Sequence, residues 1–181
     1  MRYGHFLKTA LKDSRVGTFF ASSRYVAREL ASHLRKGDKY VVEYGAGDGI
    51  ITKEILRSLP PDGRLVAIET NPDFISELKR IKDRRLAVVS GDVADVLEHI
   101  ELFNLPRVDV VISGIPLSFL KPRQRELVIE KTAAALAPYG MLLVYQHRLL
   151  ILPLLKKHFR RVELDFEPRN FLPYFIFKAV K

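Results

Sequence analysis

From Lys39 onward, short apolar runs rich in Val, Ile and Leu alternate with longer stretches whose apolar residues recur every three or four positions. The runs KYVVEY (39–44), RLVAIE (64–69), LAVVSG (86–91), VDVVIS (108–113) and MLLVYQ (141–146) are strand-like, and their near-continuous hydrophobicity is that of strands covered on both faces. After them in turn come GIITKEILRSL, NPDFISELKRI, DVADVLEHI, PRQRELVIEKTAAALA and LLILPLLKKH, which read as helices. Five successive βα units predict a parallel sheet with helices on both sides. Asn71 before Pro72 predicts a capped helix start, Pro122 opens a later helix, and Gly140, after Pro138, is expected to close it. The pattern then changes. FRRVELDFE (159–167) and NFLPYFIFKAV (170–180), separated by Pro168 and Arg169, predict an antiparallel hairpin. Pro173 predicts that the last strand is interrupted or lies partly at an edge. Upstream, FLKTALKDSR (6–15) and SSRYVARELASHLRK (22–36) predict two helices flanking Gly17. In the first, Tyr3, Phe6, Leu7, Ala10 and Leu11 form an apolar stripe beside Lys8, Lys12 and Arg15. Residues 1–181 therefore read as one domain, with N-terminal helices in 1–38 and an α/β core in 39–181.

Composition narrows the chemistry. With 48% apolar residues, 11 Phe and 7 Tyr, the 181-residue chain has the makings of a single core. The absence of cysteine excludes a disulfide framework, a thiolate nucleophile and Cys-ligated metal, and the five histidines show no metal-ligand spacing, so no metal is expected. No G-x-S-x-G elbow supports acyl transfer. Arg2, Lys8, Lys12 and Arg15 break up the start of the chain, and no uncharged apolar run reaches about 18 residues, so neither a secretory signal nor a membrane span is expected and the location is read as cytoplasmic. The net charge of +9 belongs to the ends: residues 1–39 carry +6, 40–146 carry −2 and 147–181 carry +5. Basic ends suit a partner bearing phosphates, either nucleic acid or an anionic membrane surface, or serve solvation alone. The amphipathic first helix fits an interfacial anchor or a lid.

Candidate chemistry sits on the loops after the strands. The first strand runs into VVEYGAGDG, where Gly45, Gly47 and Gly49 form either a tight connection or a turn whose backbone can approach a ligand. Ile50 stands where a dinucleotide fingerprint needs its third glycine, and no Gly-Lys-Ser/Thr follows, so the G-x-G-x-G spacing, preceded by Glu43, is neither that motif nor a P-loop. Glu69 ends the second strand about 20 residues later, where a carboxylate can accept ribose hydroxyls. Asp92 follows the third strand and can receive the exocyclic amine of adenine or cap the next helix. These residues fall at consecutive strand ends around one crevice.

The pieces EYGAGDG, AIET, SGDV and SGIP, in that order on successive strands, resemble the motifs of class I S-adenosylmethionine-dependent methyltransferases, from about Ser22 to Lys181. The resemblance implies a Rossmann-like α/β sheet of seven strands with the last antiparallel, and S-adenosylmethionine as cofactor. It also implies cofactor contacts from Ser23, Glu43, Gly45, Ala46, Gly47, Asp48, Gly49, Glu69, Thr70, Gly91, Asp92, Val93, Ser113 and Gly114. The basic segment leading to ASSR, SGIPLSFL after the fourth strand and RNFLP before the last are similar to stretches of bacterial phospholipid N-methyltransferases, which methylate phosphatidylethanolamine. Ile115 and the run Phe171-Leu172-Pro173-Tyr174 depart from that family's pattern. This closer resemblance implies Ile115, Pro116, Leu117, Arg169 and Asn170 at the lipid substrate, with Arg169 at its phosphate. Tyr145, Gln146 and His147, at the end of the fifth strand, are the best-placed candidates to take the amine's proton, Tyr145 and His147 foremost. A monomer at the inner face of the membrane is expected. A second resemblance is to ribosomal RNA adenine dimethyltransferases, since GTFF (17–20) is similar to their Gln-Asn-Phe-Leu opening motif, and it would make RNA the partner. Gly114-Ile115-Pro116-Leu117 lacks that family's amide and stacking ring, and no helical RNA-binding domain follows. A third possibility is a non-catalytic nucleic-acid- or membrane-binding module on the same fold.

Overall fold

The computed structural model describes residues 24–97, 105–169 and 173–181. Along them run α1 (Arg24–Ser32), β1 (Tyr40–Tyr44), α2 (Ile50–Ser58), β2 (Arg64–Glu69), α3 (Pro72–Leu78), β3 (Leu86–Ser90) and α4 (Val93–Val96). There follow β4 (Val108–Ser113), a 3-10 turn (Leu117–Phe119), α5 (Pro122–Ala135), β5 (Leu136–Gln146), α6 (Leu152–His158), β6 (Arg161–Glu167) and β7 (Tyr174–Val180). The predicted helix over 6–15, the end of that over 92–100 and the first residues of the run from 170 lie outside the described residues.

The strands form one sheet in the order β3-β2-β1-β4-β5-β7-β6. The first five are mutually parallel, while β7 runs antiparallel to both β5 and β6. This is the seven-stranded Rossmann-like sheet expected from the sequence. Alternation along the strands sends side chains to two cores. Val42, Tyr44, Val111, Val144 and Phe177 pack with α4, α5 and α6 on one face. Val41, Val110, Ile112, Leu143 and Ile176 pack with α1 and α2 on the other. Every residue of β4 is buried, which explains the unbroken apolar run VDVVIS. Its one carboxylate, Asp109, is satisfied at the strand's start by the Lys39 and Tyr40 N–H groups, at 2.8 and 3.0 Å. Successive strands are laid outward from β1 in one direction and then from β4 in the other. The crevice at the carboxyl ends of β1 and β4 is therefore where such a sheet opens to a ligand.

Two punctuation readings are corrected. Gly140 does not end α5, which stops at Ala135 with Leu136 already extended. β5 begins there, pairs Leu136 with Val108, bulges, and resumes with Met141 opposite Val110. Inside the bulge Tyr139 takes φ 61°, and a Cβ on Gly140 would lie 2.8 Å from the Ala137 carbonyl oxygen, so close approach of backbone is what fixes glycine there. Pro173 neither interrupts a strand nor marks an edge. β7 starts one residue later and is paired on both sides, so the missing N–H costs no ladder bond, and the edge strand is β6.

Candidate active site

Gly45, Gly47 and Gly49 have φ of 69°, 55° and 78°, a left-handed conformation that other residues adopt only under strain. The loop they form is stitched to β2. Gly45 and Ala46 N–H groups donate to the Ile68 carbonyl at 2.9 and 3.3 Å, and Gly47 N–H donates to Glu69 Oε2 at 2.9 Å. Glu69 Oε1 also accepts from the backbone N–H groups of Thr70 (2.7 Å) and Asn71 (2.9 Å). The carboxylate is thus held by three backbone donors, and of its roughly four lone-pair positions one remains, on Oε2. Gly91 N–H donates to the Glu69 carbonyl at 3.0 Å, which ties the third strand's loop to the same point. Asp92 caps α4 through Oδ1, which accepts Ala94 N–H at 2.9 Å; its Oδ2 takes no hydrogen bond among the described residues. Val93 is buried in the core, while Asp48 is exposed and accepts Ile50 N–H at 3.1 Å.

Glu43, behind the glycine loop, is buried and accepts the Thr52 hydroxyl at 2.6 Å. Burial raises its pKa from the ordinary 4.5 to about 8, reinforced by the charges of Glu69 and Asp48 and opposed by the Thr52 hydrogen bond. Between those two values the folded chain holds a proton that the unfolded chain has lost. The group's contribution to stability is therefore complete below pH 4.5 and disappears as pH rises to 8. Glu43→Gln is expected to flatten this part of the pH dependence, read as urea midpoints at pH ~5 and ~8. Identical slopes for both proteins would contradict the buried, protonated acid.

The wall opposite Glu69 comes from β4. Gly114 N–H donates to the Tyr44 carbonyl at 2.8 Å, and a Cβ on Gly114 would lie 2.6 Å from Tyr145 Oη and 3.0 Å from the Gly45 carbonyl oxygen. A Cβ on Gly45 would in turn meet Ile115 Cγ2 at 2.9 Å. Ser113 is buried and its Oγ has no hydrogen-bond partner among the described residues. Pro116 is half-buried beside the crevice, whereas Leu117 is 1% exposed and packed in the core, so its side chain is not open to the lipid substrate expected there. Tyr145 packs edge-on against Tyr174, with ring centroids 5.3 Å apart. His147 stacks on Tyr174 at 4.1 Å, and its Nδ1 lies 2.8 Å from the Pro173 carbonyl oxygen. Arg169 lies beyond β6: its Nε and Nη2 donate to Glu167 at 2.8 and 2.5 Å, and the guanidinium sits over the Tyr25 ring. Ser23 and Asn170 lie outside the described residues.

Sequence reasoning missed Arg125. This α5 residue is 9% exposed and donates to the carbonyls of Leu117 (2.9 Å), Ser118 (3.3 Å) and Leu120 (2.9 Å), fixing the turn after Pro116. The signal was present, since Arg125, Val128, Ile129, Thr132 and Ala133 share one helical stripe and all are buried. Tyr174 joins Tyr145 to His147 through its two ring contacts, and nothing in its local sequence marks that role.

Residues 42–142 match the family model described as a methyltransferase domain. The chain is 34% identical to an ornithine lipid N-methyltransferase of Singulisphaera acidiphila, over 94% of this chain and 89% of that one. Among solved structures it is similar to 1,6-didemethyltoxoflavin-N1-methyltransferase of Burkholderia thailandensis, which holds 1,6-didemethyltoxoflavin and S-adenosylhomocysteine. There the TM-score is 0.72 at 18% identity, over 100% of this chain and 91% of that one. The N-methyltransferase NodS of Bradyrhizobium japonicum gives 0.70 at 16% identity, over 90% and 96%. At such identities these two structures share the fold.

Proposed function

Since the chain belongs to the class I S-adenosylmethionine-dependent methyltransferases, we propose that it methylates the primary amine of a membrane-lipid headgroup, that of phosphatidylethanolamine or of an ornithine lipid. The observation that carries this is the end-to-end similarity to a protein named for N-methylation of such a lipid. Held by the glycine loop, Glu69 and Asp92, the cofactor would supply a methyl group activated on a sulfonium, for transfer to the amine nitrogen with the thioether as leaving group.

The residues fit that cofactor. A Cβ on Gly47 would meet nothing within 4 Å, so the loop backbone faces open space there. Glu69 keeps an Oε2 lone pair for a ribose hydroxyl, and Asp92 keeps Oδ2 for an exocyclic amine. Ser113 Oγ is the kind of orphaned buried group that a ligand satisfies. Gly45, Ala46, Gly49, Thr70 and Gly114 shape the backbone around these positions.

The acceptor is assigned to the side formed by Gly114, Ile115, Pro116, Tyr145 and His147. Gly114, Ile115 and Pro116 themselves carry neither a side-chain amide nor an aromatic ring to hold a flipped base, which favours an aliphatic amine over adenine. A carbonyl oxygen can only accept, so the hydrogen bond between His147 Nδ1 and Pro173 is donated by the ring and orients it beside the crevice, and we assign the His147 side chain to receipt of the amine's proton. Arg169 is already bound to Glu167, so its charge is compensated, and the lipid phosphate is better met elsewhere.

Labelled S-adenosylmethionine, offered with phosphatidylethanolamine vesicles, ornithine-lipid vesicles and ribosomal RNA in parallel, tests this. Label is expected in one of the two lipid extracts and absent from RNA, with His147→Gln lowering turnover at unchanged cofactor affinity. Label in RNA adenine with inert vesicles would overturn the lipid acceptor and leave the methyltransferase assignment.

A further inference from the structure

The loops at the carboxyl edge of the sheet differ sharply in character. In the cofactor half Asp48 after β1 and Asp73 and Asp95, in the first turns of α3 and α4, are exposed, with Lys53 the one exposed cation in the first turn of α2. Beyond β4 and β5, Lys121, Arg123 in the first turn of α5, and Arg148 are exposed, and none of these three enters an ion pair among the described residues. Basic residues nearby are neutralised, Lys157 by Glu126 and Arg169 by Glu167. Beside Arg148, Leu149 and Leu150 are 42% and 49% exposed, although most large apolar side chains of this protein are buried. Phe166, 57% exposed, stands at the same edge, since it pairs with Phe175 and Phe175 with Gln146. Uncompensated cations and protruding apolar side chains thus share one rim, and that rim borders Gly114, Tyr145 and His147.

We propose that this rim is the surface by which the protein seats on an anionic bilayer. Leu149, Leu150 and Phe166 enter the boundary between headgroups and acyl chains, and Lys121, Arg123 and Arg148 lie against lipid phosphates. The acidic loops of the cofactor half turn away from the negative surface, which fixes the orientation of docking. In that orientation the acceptor side of the crevice opens onto the headgroup layer, so a lipid amine reaches it while its acyl chains stay in the membrane. The proposal rests on the lipid-acceptor reading above and adds which surface meets the membrane.

Sedimentation of the full chain with phosphatidylcholine vesicles, containing or lacking phosphatidylglycerol, tests it. The wild type is expected to bind only the anionic vesicles, and less so in high salt. Leu149→Ser/Leu150→Ser should weaken that binding at least ~10-fold, and Lys121→Gln/Arg123→Gln/Arg148→Gln by roughly fivefold per charge. Because all five side chains are exposed, both variants should melt with the wild type and should methylate a detergent-dispersed lipid amine at the wild-type rate. Undiminished vesicle binding by both variants would overturn the proposal and direct attention to the basic segment 1–23. Equal wild-type binding to neutral and anionic vesicles, or none to either, would also overturn it. Rim-dependent binding with no lipid amine methylated would uphold this surface and overturn the acceptor reading, so the two fail separately.

Discussion

Glu69→Ala is expected to weaken S-adenosylmethionine binding by about 2 kcal/mol, roughly 30-fold, in a chain that remains folded. Two losses combine. The remaining Oε2 lone pair disappears as an acceptor for a ribose hydroxyl. At the same time the Gly47, Thr70 and Asn71 N–H groups lose the carboxylate that fixes the glycine loop beside β2. Glu69→Gln should lie between wild type and alanine, because the amide keeps one acceptor oxygen but turns donors toward a backbone donor. Calorimetric titration with S-adenosylmethionine decides the matter, and an unchanged affinity in the alanine variant would remove Glu69 from the site.

Gly114→Ala is expected to lower turnover at least ~100-fold, since a displacement of about 1 Å at reacting groups costs that much. The added methyl would stand 2.6 Å from Tyr145 Oη and 3.0 Å from the Gly45 carbonyl oxygen. Tyr145 cannot swing clear, being buried and packed edge-on against Tyr174, and the Gly45 oxygen is backbone in a left-handed turn. Either the glycine loop or the acceptor wall must move. The displaced glycine loop should also weaken S-adenosylmethionine binding, and adding Tyr145→Phe, which removes the nearest atom, should restore part of that affinity; if the double variant binds no better than Gly114→Ala alone, the clash lies elsewhere. Wild-type turnover in Gly114→Ala would show that the two walls do not meet as described.

The alternation of strands and helices was legible because each central strand is buried on both faces, which leaves a composition that few other arrangements share. The crevice was legible for a related reason. A chain that must place three left-handed residues between a strand and a helix has little choice but Gly45, Gly47 and Gly49, and Asn71 and Asp92 announce the helices they cap. What stayed hidden depends on partners remote in sequence. Gly140 reads as a helix stop until β4 imposes the bulge that lets β5 begin at Leu136. Arg169 reads as a free cation until the turn after β6 brings it onto Glu167. Arg125 reads as a solvated charge unless its place on the buried stripe of α5 is noticed, and no local rule supplies the three carbonyls it binds.

The adjacency of β1 and β4 also governs when the crevice can exist. Tyr44 pairs with Ser113, and Gly114 N–H reaches the Tyr44 carbonyl, across roughly 70 residues of intervening chain whose ends must be brought together first. A chain that has formed only its first two βα units has the glycine turn and Glu69 but lacks the opposite wall. Long-range closure of this kind is slow compared with local helix formation, so methyl-transfer competence arises late in folding, after most secondary structure is in place. Conversely, a ligand that requires both walls binds only chains in which that loop has closed, and its binding energy stabilises the central sheet as a whole rather than the loops it touches.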